Sequence, residues 1–271
     1  VTLSAKYVCI YDNTFNTNRY RFKLGLFTTV DRYGKTRIKA ATLMARETKD
    51  SFKWVLYNLR RDLGCPSKVL LTDGDLWMAF AIEHDCGLQS SLSTELQSVH
   101  LLCIWHLSKV VLRHISPCFG AGSRQAFNIF MNSWWSLCQK SDSAGRDRFD
   151  ADWRTLKTRL RDLLSPEQRQ NPSFSHALGF LGGPTAEWEL ELSADNLAPT
   201  PDLMDLPEDE HERFASLYDL RMKWASRWTY KYFTHGAAST QRGEQCFASV
   251  KENILAGGAL SLLISSLVGM V

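Results

Sequence analysis

No Cys-x-x-Cys pair occurs anywhere in the 271 residues, which excludes a zinc ribbon or a thioredoxin-like motif built on one. The seven cysteines, at 9, 65, 86, 103, 118, 138 and 246, are scattered and odd in number. That is not a disulfide framework, and it suits a reduced, intracellular compartment. There is no internal repeat. No N-terminal signal peptide is visible, and the chain begins at Val1 without a methionine, as a domain cut from a longer chain would. Net charge is small, +3, so the total says little about partners. One long uncharged apolar run exists, Ile254 to Val271, near the ~18-residue length of a membrane span. Its Gly257, Gly258, Ser261, Ser265 and Ser266 point to a core-packing helix, and no membrane partner is expected.

What is present is the composition of a folded chain: 44% hydrophobic, 23% charged and 11% aromatic. The length allows one large domain or two modest ones. Charge is unevenly placed. Residues 1–72 hold 14 Lys/Arg against 5 Asp/Glu, whereas residues 184–212 hold 10 Asp/Glu and no Lys/Arg. The acidic stretch also carries Pro184, Pro199, Pro201 and Pro207 and reads as a flexible insertion or surface loop. Without it the chain is basic, which suits a polyanionic partner.

Residues 6–11 form a short apolar run ending at Asp12, the pattern of a strand buried on both faces. Residues 20–30 and 36–45 are longer β-rich runs joined by Asp31-Arg32-Tyr33-Gly34, a hairpin signal. Arg19, Arg21 and Lys23 recur at period two and are expected to share a face of the second strand. A helix is expected over 47–63, a strand over 68–72, a helix over 76–84, a strand over 99–103 and a helix over 105–115. Three strands in a meander followed by alternating helices and strands imply a mixed sheet covered by helices. Strand signals vanish after residue 120. Long helices are expected over 149–164 and 208–232, and a final one from about 240 to 255.

Two acids stand out by position. Asp12 ends the first strand and Asp73 the fourth. If the strands are neighbours, both carboxylates reach one rim of the sheet, where α/β folds commonly bind ligands. Two close carboxylates repel unless a cation lies between them, and hard divalent ions prefer oxygen ligands. The alternative is that each caps a turn or helix.

The run Tyr11-Asp12-Asn13-Thr14-Phe15-Asn16-Thr17-Asn18-Arg19-Tyr20 resembles the D-x-T-x-x-x-N-x-Y signature of Mutator-like element (MULE) transposases, a family that includes domesticated FAR1-type regulators. The likeness continues at Ala41-Thr42-Leu43, Glu47, Phe52-Lys53-Trp54, Leu71-Thr72-Asp73-Gly74-Asp75 and Cys103-Ile104-Trp105-His106. It resumes at Thr240-Gln241-Arg242-Gly243-Glu244 with Lys251.

The resemblance implies an α/β, RNase H-like mixed sheet flanked by helices, with a mainly helical insertion domain. The expected division is 1–118 for the first part of the core, 119–234 for the insertion with its acidic loop 184–212, and 235–271 for helices completing the core. It implies a DDE-type DNA transposase in which Asp12, Asp73 and Glu244 hold two Mg²⁺ or Mn²⁺ ions for strand cleavage and transfer. The alternative is a domesticated, non-catalytic DNA-binding regulator on the same fold. A nuclear location and a homo-oligomer acting on transposon ends and target DNA follow from the same likeness. His106 and Cys103 would lie near the catalytic rim, and a closed zinc site built on them is disfavoured for want of a fourth ligand. Arg242 would approach the scissile phosphate. Arg221, Lys223, Arg227 and Lys231 are DNA-binding candidates, with Arg154, Lys157, Arg159 and Arg161 as further basic positions. Trp224 and Trp228, four apart, would equally form the buried stripe of a helix. Asp75 is expected at the start of the following helix.

Overall fold

The computed structural model describes residues 8–14, 18–63, 67–84, 98–120, 123–140, 145–191, 216–232, 234, 246 and 248. The chain divides into two compact units, Val1–Leu107 with Tyr232–Val271, and Ser108–Lys231.

The first unit is built on five strands: β1 (Val8–Thr14), β2 (Lys23–Val30), β3 (Thr36–Met44), β4 (Val69–Thr72) and β5 (Val99–Leu102), in spatial order β3-β2-β1-β4-β5. β1 pairs antiparallel with β2, and β2 with β3, whereas β1–β4 and β4–β5 are parallel. The mixed sheet read from the sequence is therefore present. The β2–β3 turn forms as its residues dictate: the Gly34 N–H donates to the Asp31 carbonyl at 3.0 Å, and Gly34 takes φ 75°. Asp31 Oδ1 accepts the N–H groups of Tyr33 and Lys35, each at 2.9 Å.

Alternation along the strands sorts side chains between two faces. Cys9, Tyr11, Phe27, Met44 and Leu70 pack with Phe52, Val55 and Leu56 of α1 (Lys49–Leu63) and with Met78, Ala81 and Ile82 of α2 (Leu76–His84). Val8, Ile10, Val30, Val69, Leu71 and Leu101 form the opposite face. Both faces of the central strands are apolar, which is why those runs lack polar alternation.

Several boundaries differ from the sequence reading. β1 runs on to Thr14, because Asn13 and Thr14 pair with Gly25 and Leu24 of β2, so Asp12 lies within the strand and not at its end. β2 begins at Lys23, and Arg19 and Arg21 precede it in a turn rather than sharing its face. Arg21 has φ 59°, and Asn18 Oδ1 accepts the N–H groups of Tyr20 and Phe22 at 3.1 Å each, tying that turn together. α1 starts at Lys49 because Thr48 caps it, its Oγ1 accepting the Ser51 N–H at 3.2 Å. That leaves Glu47 outside the helix, at the exit of β3.

The second unit is helical among its described residues. α3 (Ile104–Ile115) leads into it from the first unit, followed by α4 (Arg124–Gln139), α5 (Gly145–Asp162), α6 (Pro166–Arg169), α7 (Pro172–Leu181), α8 (Arg221–Trp224) and α9 (Ser226–Thr229). Its interior is aromatic. Trp134 and Trp224 lie 5.0 Å apart between ring centroids, and Phe149 meets Trp153 at 5.7 Å and Trp228 edge-on at 4.6 Å. Of the long helix expected over 208–232, residues 208–215 lie outside the described residues, and 216–232 holds two short helices instead. Ala225, extended at ψ 127° and fully buried, breaks them, and the Trp224 indole donates to the Leu217 carbonyl at 3.2 Å. Within the acidic stretch, Glu187–Glu191 forms a single-turn 3₁₀ helix pinned to α5 by Trp188 on Thr158 (3.0 Å) and Glu189 on Lys157 (2.6 Å), so this part is not a free loop. The run 254–271 and most of the expected 240–255 helix lie outside the described residues. Among the described residues no helix is long and apolar enough to cross a membrane.

Candidate acidic site at the sheet rim

The parallel pairing of β1 with β4 has a fixed offset: Val8 with Val69, Cys9 with Leu70, Ile10 with Leu71. Continued two residues beyond that pairing, the same offset matches Asp12 with Asp73, the residue that follows β4. Asp12 thus lies inside β1, two residues past its last β4 pair, and Asp73 directly follows the last residue of β4. Asp12 is 4% exposed, and its Oδ1 accepts the Asn13 backbone N–H at 2.9 Å.

Asp73 begins a sharp turn. Gly74 adopts φ 93°, a conformation that favours glycine, and Asp73 Oδ1 accepts the Asp75 N–H at 3.2 Å. Thr72 Oγ1 accepts the Gly74 N–H at 3.3 Å and bonds His100 Nε2 at 2.8 Å in the interior, fixing the turn to β5. Asp75, not Asp73, caps α2: its Oδ1 accepts the Met78 N–H at 2.9 Å. The helix-start role read for Asp75 is the one it has.

Desolvation at the rim raises the pKa of Asp73, and the negative charge of Glu47 adds to the rise, although the Asp75 N–H opposes it. Burial also raises Asp75, with the Met78 N–H opposing and the Asp73 charge adding. Carboxyls held out of water beside one another resist ionisation until a cation compensates them. Carboxylate oxygens are donors of the kind a hard divalent ion prefers.

Glu244, the third acid of the expected set, and Arg242 lie outside the described residues. Among the described residues no three His, Cys, Asp or Glu side chains group closely enough to hold a metal. Cys103 is fully buried and caps α3, with its Sγ receiving the His106 N–H at 3.5 Å and its carbonyl the Leu107 N–H at 3.0 Å. His106 is half-buried, edge-on to Trp105 at 4.9 Å.

In the helical unit, Arg227 is buried and paired with Asp152 at 3.0 Å. Arg221 sits 4.0 Å over the Tyr218 ring. Lys223 is half-buried and Lys231 exposed. Lys157 is 2% exposed and bound to Glu189. Arg154 donates to the Thr185 carbonyl, Arg159 to Ser133 and Arg161 to Asp162. Much of the basic lettering that reads as phosphate-seeking thus has partners within its own unit.

Sequence reasoning gave no role to a polar chain beside Asp12. Tyr11 Oη donates to Asn13 Oδ1 at 2.7 Å, and Asn13 Nδ2 donates to Glu47 Oε1 at 2.9 Å. Lys23 Nζ lies 3.7 Å from Glu47 Oε2. The signal was available: Glu47 is the one acid between Asp31 and Asp50, in a stretch otherwise basic.

Residues 8–110 match the MULE transposase domain. Two Arabidopsis thaliana proteins are similar to the chain. Protein FAR1-related sequence 5 is 25% identical over 145 residues, covering 48% of this chain and 17% of that protein. FAR1-related sequence 10 is 24% identical over 155 residues, covering 56% of this chain and 20% of that protein. The chain thus spans about a fifth of the length of these relatives. The matched region contains the whole five-stranded sheet with Asp12 and Asp73, so it is this part of the chain that is similar to the MULE transposase domain.

Proposed function

We propose that the chain is the catalytic domain of a DDE-type DNA transposase on an RNase H-like core, working in the nucleus as a homo-oligomer on transposon ends and target DNA. The observation that supports this is the parallel β1–β4 pairing, Val8 with Val69 to Ile10 with Leu71, whose offset continued two residues matches Asp12 with Asp73. The strand order, with β2 antiparallel and β1, β4 and β5 parallel, supports the core.

Asp12 and Asp73, with Glu244 from the C-terminal segment, would hold two Mg²⁺ or Mn²⁺ ions. Bound there, such ions activate the attacking oxygen and stabilise the leaving one in phosphodiester displacement. The chain's own residues supply position. The Asn13 N–H fixes the Asp12 carboxylate, and the Gly74 turn with its Thr72–His100 anchor fixes Asp73. Preorganised groups need no rearrangement as charge develops on the phosphate, which is where such sites gain most of their rate. No side chain need become covalently attached to DNA.

The test is strand cleavage and transfer on labelled transposon-end DNA, with Mg²⁺ against EDTA and Asp73→Asn as control. Cleavage in Mg²⁺ that EDTA and the substitution both abolish is expected. Cleavage surviving both rejects the metal mechanism. Salt-sensitive DNA binding without cleavage identifies the domesticated regulator instead.

A further inference from the structure

Asp12 gains its fixed carboxylate from a neighbour that is itself held. The backbone N–H of Asn13 donates to Asp12 Oδ1 at 2.9 Å, so the carboxylate orientation depends on where Asn13 sits. The Asn13 side chain lies on the other face of β1 and is gripped from two sides. Its Oδ1 receives the Tyr11 hydroxyl at 2.7 Å, and its Nδ2 donates to Glu47 Oε1 at 2.9 Å.

The space for this grip is built into the sheet. Asn13 pairs with Gly25 on β2, and Gly25 pairs with Thr42 on β3. A Cβ on Gly25 would stand 2.5 Å from Tyr11 Oη, 2.7 Å from Asn13 Oδ1 and 2.7 Å from Thr42 Cγ2. No side chain larger than glycine's hydrogen leaves room for the Tyr11–Asn13 bond. Glu47 arrives from the β3–α1 connection, freed from the helix by the Thr48 cap, with Lys23 of β2 beside its second oxygen. Tyr11 of β1 and Glu47 of the β3–α1 connection thus meet at one amide, beside Gly25 of β2.

From this convergence we infer that Glu47 is a positioning residue for the cation site: through the Asn13 side chain it fixes the backbone N–H that orients the Asp12 carboxylate. Glu47 bonds to a group that bonds to the proposed ligand, the arrangement by which outer partners set a ligand's geometry and commonly control 10- to 100-fold in metal affinity. The inference rests on the proposed metal seat at Asp12 and Asp73.

Mn²⁺ binding to the full 271-residue chain, measured by calorimetry without DNA, tests it. Glu47→Ala weakens Mn²⁺ binding by about 10- to 100-fold. Asn13→Ala does the same, and the double variant loses no more than either single one, because both act through one bond. Glu47→Gln, whose amide oxygen accepts the same hydrogen bond, recovers most of the loss. Parent-like affinity in Glu47→Ala, or losses that multiply in the double variant, overturns the inference and leaves the metal seat standing. If Glu47→Ala does not fold, parent-like affinity in Asn13→Ala overturns it equally. A parent chain that binds no Mn²⁺, or Asp73→Asn with parent affinity, overturns the metal seat and the inference with it.

Discussion

Asp73 carries the cost of burying a carboxyl. Its pKa lies above the ordinary aspartate value of 3.8 because the rim withholds water, with the Glu47 charge adding to the rise. The sign follows directly. An acid whose folded pKa is raised holds its proton more tightly when folded, so its stabilising contribution is complete below pH 3.8 and is lost as pH rises through the folded value. At neutral pH without metal the ionised group destabilises the fold. Asp73→Asn should therefore raise the melting temperature in EDTA at pH 7, and the advantage should narrow as pH falls through the folded value and be gone below the ordinary aspartate value of 3.8. In Mn²⁺ the order should reverse, since the parent gains a ligand and the variant does not. Melting curves at several pH values, with EDTA or Mn²⁺, check this; a variant less stable than the parent in EDTA would remove the argument. The buried thiols differ in kind: burial pushes Cys9 and Cys118 up to about 12, which makes them packing groups and not nucleophiles.

At the scale of elements, the strand register matters most. β1 is parallel to β4 through Ile10 and antiparallel to β2 through Thr14, so Asp12 sits beyond the last β4 pairing yet is still held by β2. The sequence showed the acid but not this overhang, because a strand's end depends on a partner far along the chain. Helix starts were legible to within a few residues, since Thr48 and Asp75 declare themselves as caps. The break at Ala225 was not legible: Trp224 and its neighbours fit a helical stripe, and only tertiary packing with Trp134 and Phe149 decides otherwise. Gly25 is the element-level test. Gly25→Ala should destabilise the fold by roughly 1–3 kcal/mol, as overpacking does, by driving Tyr11 Oη and Asn13 Oδ1 apart. Urea unfolding of the pair of proteins measures it, and unchanged stability would show that the close approach is not needed.

At the scale of the molecule, the chain joins a sheet carrying acids to a helical unit with an aromatic interior. That Asp73 follows the short fourth strand could be read from the sequence, because a short apolar run that leads into an acid has few structural meanings, whereas Asp12 proved to lie inside its strand. The basic candidates read less well. Arg227 and Lys157 look like solvent-seeking cations in the sequence, but their ion pairs with Asp152 and Glu189 join residues far apart along the chain. Most direct for the central claim is a map of the cation's surroundings on the polypeptide itself. Fe²⁺ substituted for Mg²⁺, with ascorbate and peroxide, releases radicals that cut the backbone near the bound ion, and the fragments are sized by mass spectrometry. Cuts near residues 12, 73 and 244, suppressed by excess Mg²⁺ and absent in Asp73→Asn, are the predicted result. Cuts confined to other segments, or a pattern unchanged by Mg²⁺, would contradict it.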